Sequence, residues 1–283
     1  MALSGRIPST IKTNLFIPAQ YSKNVLMALK HKLVVVPVVN HSYESEVVLG
    51  DTLYIPKTNV ITATEVTVGT EGVQSNPFDT TGVTLTIDQW YEAPAPIDVM
   101  SRRQSQVNVV ADAEAESAYA IKKQIDSSLC ALFSSLSSVL GTDGSAWTDA
   151  LLISCVEQLD EADIDPENRV WIGDPSTKAD IMGIDKFVKA DYFASDAIPT
   201  GGFRKDIYGA PLLWTNNLTA VGGTGSYGVY MHRDALAIAI QENMSVDRVE
   251  QPLKHQIVIN TTALWGVKEL IDTAGVPIYT RLA

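Results

Sequence analysis

Residues 82–98 read GVTLTIDQWYEAPAPID, and the first half of this stretch carries the clearest strand pattern in the chain. Val83, Leu85 and Ile87 alternate with polar residues, which is the period of two expected of a strand with one buried face. The surrounding residues 41–97 are rich in β-branched side chains, which favour strands. The sequence therefore predicts a β-rich region here.

Two further strands are predicted upstream, at Val47–Lys57 and Val60–Val68. The stretch GTEGVQSNPFDTTG at 69–82 is polar and rich in Gly, Thr and Asn, which is typical of a loop tip. Strands of nine or ten residues extend roughly 30 Å, so the region can project as a long ribbon. An isolated ribbon is marginally stable in water. We therefore expect it to lie on its own domain or, failing that, on a neighbouring subunit.

A stretch without Gly or Pro, from about Gln104 to Leu140, predicts one long helix. Ile121, Ile125 and Leu129 recur every four residues, as on the buried face of a helix. At 1.5 Å per residue this helix would run about 55 Å. The GTDG sequence at 141–144 ends it.

The chain before residue 41 is predicted to begin with an extended arm at 1–20, followed by a short helix at Tyr21–Lys32 and a strand-like run at Leu33–Asn40. Residues 145–240 alternate helical and strand patterns, which favours an α+β domain. The predicted later elements are a helix at Trp147–Leu159, a strand at Arg169–Ile172, a helix that begins at Asp174, a strand at Gly209–Trp214, and closing strands from Gln256 onward that turn at Ala274 and Gly275.

Composition excludes several classes of protein. Thirty-three Asp and Glu against 21 Lys and Arg give a net charge of −12, the wrong sign for a protein that grips nucleic-acid phosphates over a broad face. The N-terminus lacks the pattern of a secretory signal, and the longest apolar run, Leu33–Val39, is too short to cross a membrane. Cys130 and Cys155 lack metal-ligand spacing, so we expect both to be small buried side chains in a reducing compartment.

No arrangement of residues favours catalysis. Gly223–Gly228 matches the dinucleotide pattern GxGxxG, but a strand-like sequence follows it where that motif needs a helix, so a turn between strands is favoured. The acidic run Asp160–Glu167 departs from a calcium loop and is interpreted as a solvated connection. The four histidines are scattered. The sequence therefore predicts no catalytic, cofactor-binding or metal-ligating residue.

Five segments, in this order, resemble the major capsid proteins of tailed bacteriophages, the Hong Kong 97 fold family. They are YESEVVLGDTLYIP at 43–56, LTIDQWYEAPAPID at 85–98, PENRVWIGDPSTKADI at 166–181, GAPLLWTNNL at 209–218 with HRDALAIAI at 232–240, and LWGVKELIDTAGVPIYT at 264–280. The likeness covers most of the chain from about residue 20 onward.

The resemblance implies an α+β fold of the Hong Kong 97 type with four parts. These are an N-terminal arm and short helix at 1–40, an extended β-hairpin loop at 41–98, a peripheral domain with a long spine helix at 99–144 and 241–270, and an axial domain at 145–240 and 271–283. It also implies a structural subunit, not an enzyme, that self-assembles through pentamers and hexamers into an icosahedral shell around double-stranded DNA.

The same resemblance implies partners and a location. The partners are further copies of this chain, scaffolding and portal proteins, and a cement protein in some shells. DNA is enclosed without sequence-specific binding, and no membrane is involved. The protein would be made in the host cytoplasm and end in the virion.

The resemblance implies that Val47–Trp90 lies across the adjacent subunit and that the N-terminal arm latches a neighbour. A further subunit contact is expected at the adjacent arginines that precede the long helix. A salt-bridge role is the other interpretation of those arginines. The predicted contact residues are Tyr43, Val47, Asp51, Tyr54, Glu65, Phe78, Trp90, Arg102 and Arg103.

Three alternatives stay open at this point. A cellular encapsulating nanocompartment shares the fold, and a phage tail protein would also be structural but would form tubes or discs. A nucleotide-dependent enzyme depends on Gly223–Gly228 alone, and it would gain roughly 2 to 3 kcal/mol of stability at a hundredfold excess of nucleotide over its dissociation constant.

Overall fold

The structure is a computed structural model that describes residues 33–47, 50–58, 80–105, 108–188, 206–221 and 225–281. The strands found in these residues are β1 (Thr52–Thr58), β2 (Thr80–Thr86), β3 (Gln89–Asp98), β4 (Arg169–Gly173), β5 (Asp206–Ile207), β6 (Ala210–Trp214), β7 (Ala220–Val221), β8 (Gly225–His232), β9 (Leu236–Gln251), β10 (Gln256–Glu269) and β11 (Gly275–Tyr279). The α-helices are α1 (Val99–Gln104), α2 (Val109–Ala131), α3 (Asp149–Glu161), α4 (Pro175–Met182) and α5 (Asp185–Val188). The predicted mixture of helices and strands is confirmed.

The strands form three sheets. A two-stranded ribbon pairs β1 with β2, and a three-stranded sheet has the order β3-β10-β9. A six-stranded sheet has the order β11-β8-β4-β6-β5, with β7 on β8. Within it only β4 and β6 run parallel.

The three-stranded sheet is built on a long hairpin. The two strands β9 and β10 pair antiparallel along almost their whole length, and the turn between them is a 3₁₀ helix at Pro252–Lys254. His255 ends that turn in the left-handed conformation, at φ 51°. Strand β9 runs through residue 240, and its register with β10 shifts between Ile240 and Ser245.

The predicted long helix is shorter than expected at both ends. Helix α2 spans 23 residues, about 35 Å at 1.5 Å per residue, and α1 is a separate helix before it. After Ala131 the chain tightens into a 3₁₀ helix, where the hydroxyls of Ser134 and Ser135 donate to backbone carbonyls at 2.9 and 2.7 Å. Such serine hydroxyls compete with the helical backbone bonds. Leu136 is then extended, so the expectation of one helix to Leu140 was wrong.

The row of apolar residues predicted from the four-residue spacing in α2 is buried in the structure. Ile121, Ile125 and Leu129 are all buried and lead into the buried Phe133. They belong to the largest core cluster, which also contains Val170 and Ile172 of β4, Val229 and Met231 of β8, Leu236 and Ile238 of β9, and Ala263 and Trp265 of β10. We call this cluster the helix-side core.

The segment Leu33–Asn40 is not a strand. Val36–Val38 forms a 3₁₀ turn with Pro37 at its start, where a residue without an N–H is tolerated. Only Asn40 pairs with a strand, in a parallel bridge to Ala237. The predicted arm and short helix at residues 1–32 lie outside the described residues.

The ribbon is shorter at its start than the pattern indicated, because β1 begins at Thr52 and not at Val47. Thr80, Thr81 and Gly82 pair with β1, so the end of the predicted loop 69–82 is strand. The predicted strand Val60–Val68 lies outside the described residues. The alternation in β2 is confirmed, since Leu85 and the following Ile87 are buried.

The elements predicted between residues 145 and 281 are confirmed with small shifts of boundary. Asp174 caps α4, since its Oδ1 accepts from the backbone N–H of Thr177 at 2.9 Å. The closing strands are β10 and β11, and the turn before β11 is a 3₁₀ helix at Asp272–Ala274. The sequence HRDA at 232–235 forms a short 3₁₀ turn with His232 at its N-cap.

Candidate subunit-contact surfaces

The three-stranded sheet has one face covered by α2. Along β10 the odd-numbered residues from Ile257 to Trp265 point to this face and are buried. Ser117 of α2 reaches it with a hydrogen bond of 2.8 Å between its Oγ and the Oγ1 of Thr261. Helix α2 packs on this face, and the buried side chains of both form part of the helix-side core.

Within the part of the chain that the structure describes, the opposite face of the same sheet is covered only at one end. There the base of the ribbon packs on β9 and Leu264 of β10 through the ribbon-base core, whose buried members are Val47, Ile55, Leu85, Ile87, Ala237 and Ala239. Farther along β10, the side chains of Val258, Asn260 and Thr262 stay half-exposed. We call this part of the sheet the open face.

The two most exposed aromatic side chains among the predicted contact residues are Trp90 and Tyr54, each 74% exposed. Trp90 pairs with Leu264 across the strands, so its ring stands on the side of the open face. Its neighbour Tyr91 points the other way and stacks on Trp265, with ring centroids 5.2 Å apart. Two adjacent aromatic residues therefore have different environments, and Trp90 is the more exposed of the two, since Tyr91 is 41% exposed.

Three predicted contact residues tie the ribbon base to its own chain. Val47 is buried in the ribbon-base core and Tyr43 packs against that core. The backbone carbonyl of Asp51 accepts from the N–H of Ile87 at 2.8 Å, while the Asp51 side chain is exposed. Val47 is therefore not available to a second copy in this conformation. The predicted contact residues Glu65 and Phe78 lie outside the described residues.

Arg102 and Arg103 lie together on α1, and both are exposed. A groove of about 650 Å³ separates α1 from the turn between β9 and β10, and its lining includes these two arginines, Glu250 and His255. The groove is mixed in charge and open to solvent. It places both guanidinium groups where another subunit can reach them.

The tip of the β9–β10 hairpin is an exposed apolar surface that the sequence did not reveal. Leu253 is 99% exposed, Met100 of α1 is 66% exposed, and Val246 and Val249 of β9 are about half exposed. Val246 pairs with Thr261 and Val249 pairs with Val258, so the two valines lie on opposite faces of β9. No local pattern could have marked them, because their exposure depends on where the sheet ends.

A buried carboxylate joins three parts of the chain. Asp126 of α2 is fully buried, and its Oδ1 accepts from the backbone N–H of Val35 at 2.9 Å. Its Oδ2 accepts from the side-chain amide of Asn217, in the loop after β6, at 3.0 Å. The chain that leads in from the N-terminus is thus held against α2 and the six-stranded sheet at one point, which we call the Asp126 junction.

The two cysteines are buried and free, as expected. Burial raises the pKa of Cys155 to about 12. Burial, and after it the nearby Asp126 carboxylate, raise the pKa of Cys130 well above its usual value. A thiol is reactive only as the thiolate, so both side chains behave as small core residues.

The acidic connection between α3 and β4 wraps around one arginine. The buried Arg169 pairs with Asp160 at 2.7 Å and donates from its Nε to the carbonyl of Asp165 at 2.9 Å. The other acidic side chains of the run are exposed. The interpretation of this run as a solvated connection is confirmed, and the part of the chain that the structure describes contains no His, Cys, Asp and Glu group suited to a metal ion.

The two described glycines of the GxGxxG motif lie where neighbouring backbone approaches them closely. Gly225 and Gly228 lie in β8, so the predicted strand after the motif is confirmed. A Cβ on Gly225 would lie 2.0 Å from the carbonyl oxygen of Thr280, and one on Gly228 would lie 2.9 Å from that of Ile172. The neighbouring backbone therefore requires glycine at both positions, without a nucleotide.

No helix of the described residues is long and apolar enough to span a membrane. No protein-family model matches the sequence, and no curated protein matches it.

Solved structures of phage capsids match the chain from end to end. A structure from Mycobacterium phage Che8 is 22% identical, with a TM-score of 0.81 over 94% of this chain and 97% of that chain. The capsid structure of the cyanophage P-SCSP1u is 14% identical, with a TM-score of 0.74 over 96% and 94%. The capsid of a native GTA particle is 10% identical, with a TM-score of 0.74 over 99% and 100%.

These likenesses define the class of fold. The chain has the fold of phage capsid structures, and the resemblance derived from its motifs is confirmed at that level.

Proposed function

We propose that this chain is a major capsid protein of the Hong Kong 97 type, a structural subunit of an icosahedral shell that encloses double-stranded DNA. The observation that carries the proposal is the match to capsid structures over nearly the whole of both chains. Capsid proteins are generally structural proteins and not enzymes, and we propose the same for this chain.

We match three of the four parts expected from the resemblance with described elements, whereas most of the N-terminal arm lies outside the described residues. We assign the β1–β2 ribbon to the extended loop at 41–98, and α2 with the β9–β10 hairpin to the peripheral domain. The six-stranded sheet with α3 and α4 forms the axial domain. Helix α2 is the spine, although it is shorter than the sequence suggested.

The open face, with Trp90 beside it, is the proposed receiving surface for the ribbon of an adjacent subunit. Such a contact is heterologous, because the ribbon of one copy meets the sheet of the next, and heterologous contacts close into rings when the rotation permits. Pentamers and hexamers follow from small changes in that rotation. Each contact need not be strong, since many act together once a shell closes.

The proposed partners are further copies of the chain, scaffolding and portal proteins, and a cement protein in some shells. The protein is made in the host cytoplasm and ends in the virion. Its net charge of −12 suits a container from which DNA must slide freely. Tight binding of the free protein to duplex DNA at physiological salt would contradict that role of the charge.

The direct test is electron microscopy of the purified protein, alone and with a candidate scaffolding protein. Closed icosahedral shells are the expected product. Tubes or discs would instead indicate a tail protein. Monomers that remain monomers under every assembly condition, with and without scaffold, would contradict the proposal.

Deletion of Gly69–Asp79 tests the role of the ribbon. The deletion leaves β1 and β2 intact, because their paired residues end at Thr58 and begin at Thr80. We expect a soluble monomer with near-native helix content that fails to form shells. Circular dichroism and sedimentation velocity measure the two properties.

The matched control replaces the same eleven residues with Gly and Ser, which keeps the chain length but removes the side chains. If the control assembles normally, side chains in this stretch are not needed for the contact. If the deletion unfolds the monomer, the stretch belongs to the core of its own subunit.

A further inference from the structure

The outer face of α3 lines a groove that is separate from the surfaces described above. The inner face of the helix buries Leu152, Cys155 and Leu159 in the core of the six-stranded sheet. The groove has a volume of about 660 Å³ and lies between the outer face and the turn that joins β5 to β6. We call it the α3 groove, and its lining residues are Ile153, Val156, Glu157, Asp160, Glu161 and Tyr208.

The apolar part of the α3 groove is accessible within the described residues. Ile153 is 45% exposed and Val156 is half-buried, one helical turn apart on the same face of α3. The exposed ring of Tyr208 lines the same groove. An exposed apolar surface with a polar rim is typical of a site that a second molecule covers.

Tyr208 has an unfavourable backbone conformation. Tyr208 and Gly209 form the two-residue turn between β5 and β6, and their φ angles are 49° and 83°. A type I′ turn has positive φ at both positions and favours Asn-Gly, because a bulky side chain is strained there. The tyrosine ring packs edge-on against Phe187, and its hydroxyl donates to Asp149. Since the turn alone would favour Asn, the strained tyrosine indicates a function other than stability.

The rim of the α3 groove carries carboxylates at positions that do not stabilise the helix. Glu157 and Glu161 lie four residues apart on α3, and like charges at that spacing repel each other. Glu161 is also the last residue of the helix, where the macrodipole favours basic side chains. Among the described residues, neither glutamate forms an ion pair. Both carboxylates are therefore free to pair with another molecule.

The surroundings of the groove do not neutralise this negative charge. Residues 149–168 contain seven Asp and Glu and no Lys or Arg. Two cations lie nearby, but Arg169 is paired with Asp160 and Lys186 is paired with Asp149. The α3 groove thus combines an apolar part with a rim of uncompensated negative charge.

We propose that the α3 groove binds a basic amphipathic helix of a second protein. The apolar face of that helix would lie on Ile153 and Tyr208, and its Lys or Arg side chains would face Glu157 and Glu161. This complementarity of shape and charge is the helix-in-groove mode of recognition. Residues 153–161 span about 12 Å, which is about two turns of a partner helix. The groove belongs to the folded subunit, so the inference goes beyond the proposed function and does not require shell assembly.

Binding of designed peptides to the full-length chain tests the proposal. The probe is a fluorescein-labelled peptide of about 18 residues, or five helical turns, with Leu on one face and Lys on the other. Fluorescence anisotropy measures its dissociation constant at about 0.15 M salt, where long-range attraction is screened. One control peptide has Glu in place of Lys, and the other has the same Leu and Lys in scrambled order. We expect both control peptides to bind at least tenfold more weakly than the probe.

Substitution of one exposed apolar side chain at each of two sites tests the apolar contact. Ile153→Ala should weaken binding of the probe about tenfold, because less apolar surface is buried. The matched control is Met182→Ala on α4, outside the groove, where the side chain is 46% exposed. The control should leave the dissociation constant unchanged.

Two substitutions at Tyr208 test the strained turn. Tyr208→Asn should fold with a native circular dichroism spectrum, because Asn-Gly suits the turn, and should bind the probe at least tenfold more weakly. Tyr208→Phe keeps the ring and should bind as the unchanged chain does.

Removal of two carboxylates at each of two sites tests the charge. Glu157→Gln with Glu161→Gln should weaken binding of the probe about tenfold. The matched control is Asp247→Asn with Glu250→Gln on β9, which removes the same charge from an exposed surface elsewhere. The control should change the dissociation constant less than twofold.

Several results would overturn the proposal. They are absence of probe binding to the unchanged chain, equal binding of the Lys and Glu peptides, and equal weakening by the groove variants and their controls. Self-association that Ile153→Ala abolishes in sedimentation velocity would instead identify a second copy as the occupant. Binding that appears only after residues 189–205 are replaced by Gly and Ser would identify the chain itself as the occupant. All of these results would leave the capsid function standing, because electron microscopy of shells tests that function separately.

Discussion

The six-stranded and the three-stranded sheets of this molecule differ in how completely their residues are buried. In the six-stranded sheet all five residues of β4 are buried, as are most residues of β8 and β11. In the three-stranded sheet, most of the second half of β9 and every second residue of β3 are exposed. The described residues close one sheet, and they leave part of a face and an edge of the other uncovered.

We expect this difference in burial to separate the residues that stabilise the monomer from those that serve assembly. The closed sheet packs three large aromatic rings together, with Trp171 stacked on Tyr230 at 3.9 Å between centroids and Trp147 packed edge-on at 6.0 Å. The apolar residues of the three-stranded sheet that remain exposed, Trp90 and Val249 among them, contribute little to the folded monomer. We expect the closed sheet to determine whether the chain folds and the open one to determine what it binds.

Substituting one tryptophan in each sheet is the strongest test of this contrast. Trp171→Ala removes a fully buried ring whose Nε1 donates to the carbonyl of Ile207 at 3.0 Å, and should cost about 3–5 kcal/mol. Trp90→Ala should change the free energy of unfolding by less than about 0.5 kcal/mol and yet impair shell formation. Urea denaturation and sedimentation velocity measure the two effects. A large loss of stability in Trp90→Ala would remove the distinction.

Substituting one glycine with alanine in each of two regions tests how closely the backbone is packed there, because only one methyl group is added. Gly225→Ala places a Cβ 2.0 Å from a backbone oxygen of the closed sheet, so we expect a loss of about 1–3 kcal/mol or more from overpacking. Gly82→Ala in the ribbon meets no atom closer than 3.7 Å and is the matched control. The control should be neutral, or stabilising by about 0.4–1 kcal/mol, because alanine restricts the unfolded chain. Thermal unfolding of both variants compares the two regions.

Substitutions at Asp126 test how much the Asp126 junction contributes to the stability of the fold. Asp126→Ala leaves the buried donors of Val35 and Asn217 without their acceptor, which should cost about 1–3 kcal/mol. Asp126→Asn should cost less, because one side-chain oxygen remains to accept from Val35. Glu116→Ala, an exposed carboxylate on the same helix, should change stability by less than about 0.5 kcal/mol.

Hydrogen exchange locates the effect of Asp126→Ala. The amides of residues 33–40 should exchange faster in the variant, while those of β4 and β8 keep their protection. Uniform loss of protection through the whole molecule would show that the junction supports the global fold and not only the N-terminal connection.

Particular elements show which sequence patterns predicted structure well. The alternation around Leu85 and the row Ile121, Ile125, Leu129 were confirmed, because each records the burial of one face of a regular element. The end of α2 was missed, since the serines after Ala131 stop the helix by hydrogen bonds that apolar spacing does not register. The valines at 34–36 resembled a strand, but Pro37 and the Asp126 carboxylate hold them in a turn.

The features of the candidate contact surfaces can also be divided into those that the sequence predicted and those that it did not. The sequence alone determined an α+β chain with a β-rich region, a long amphipathic helix and the capsid motifs, since local periodicity is a property of each segment. Only the tertiary structure decided that Val47 is buried while Trp90 is exposed, and that no described strand pairs with the outer side of Ser245–Gln251. The physical reason is that exposure depends on what packs against a residue from distant parts of the chain, and no short stretch of sequence records that.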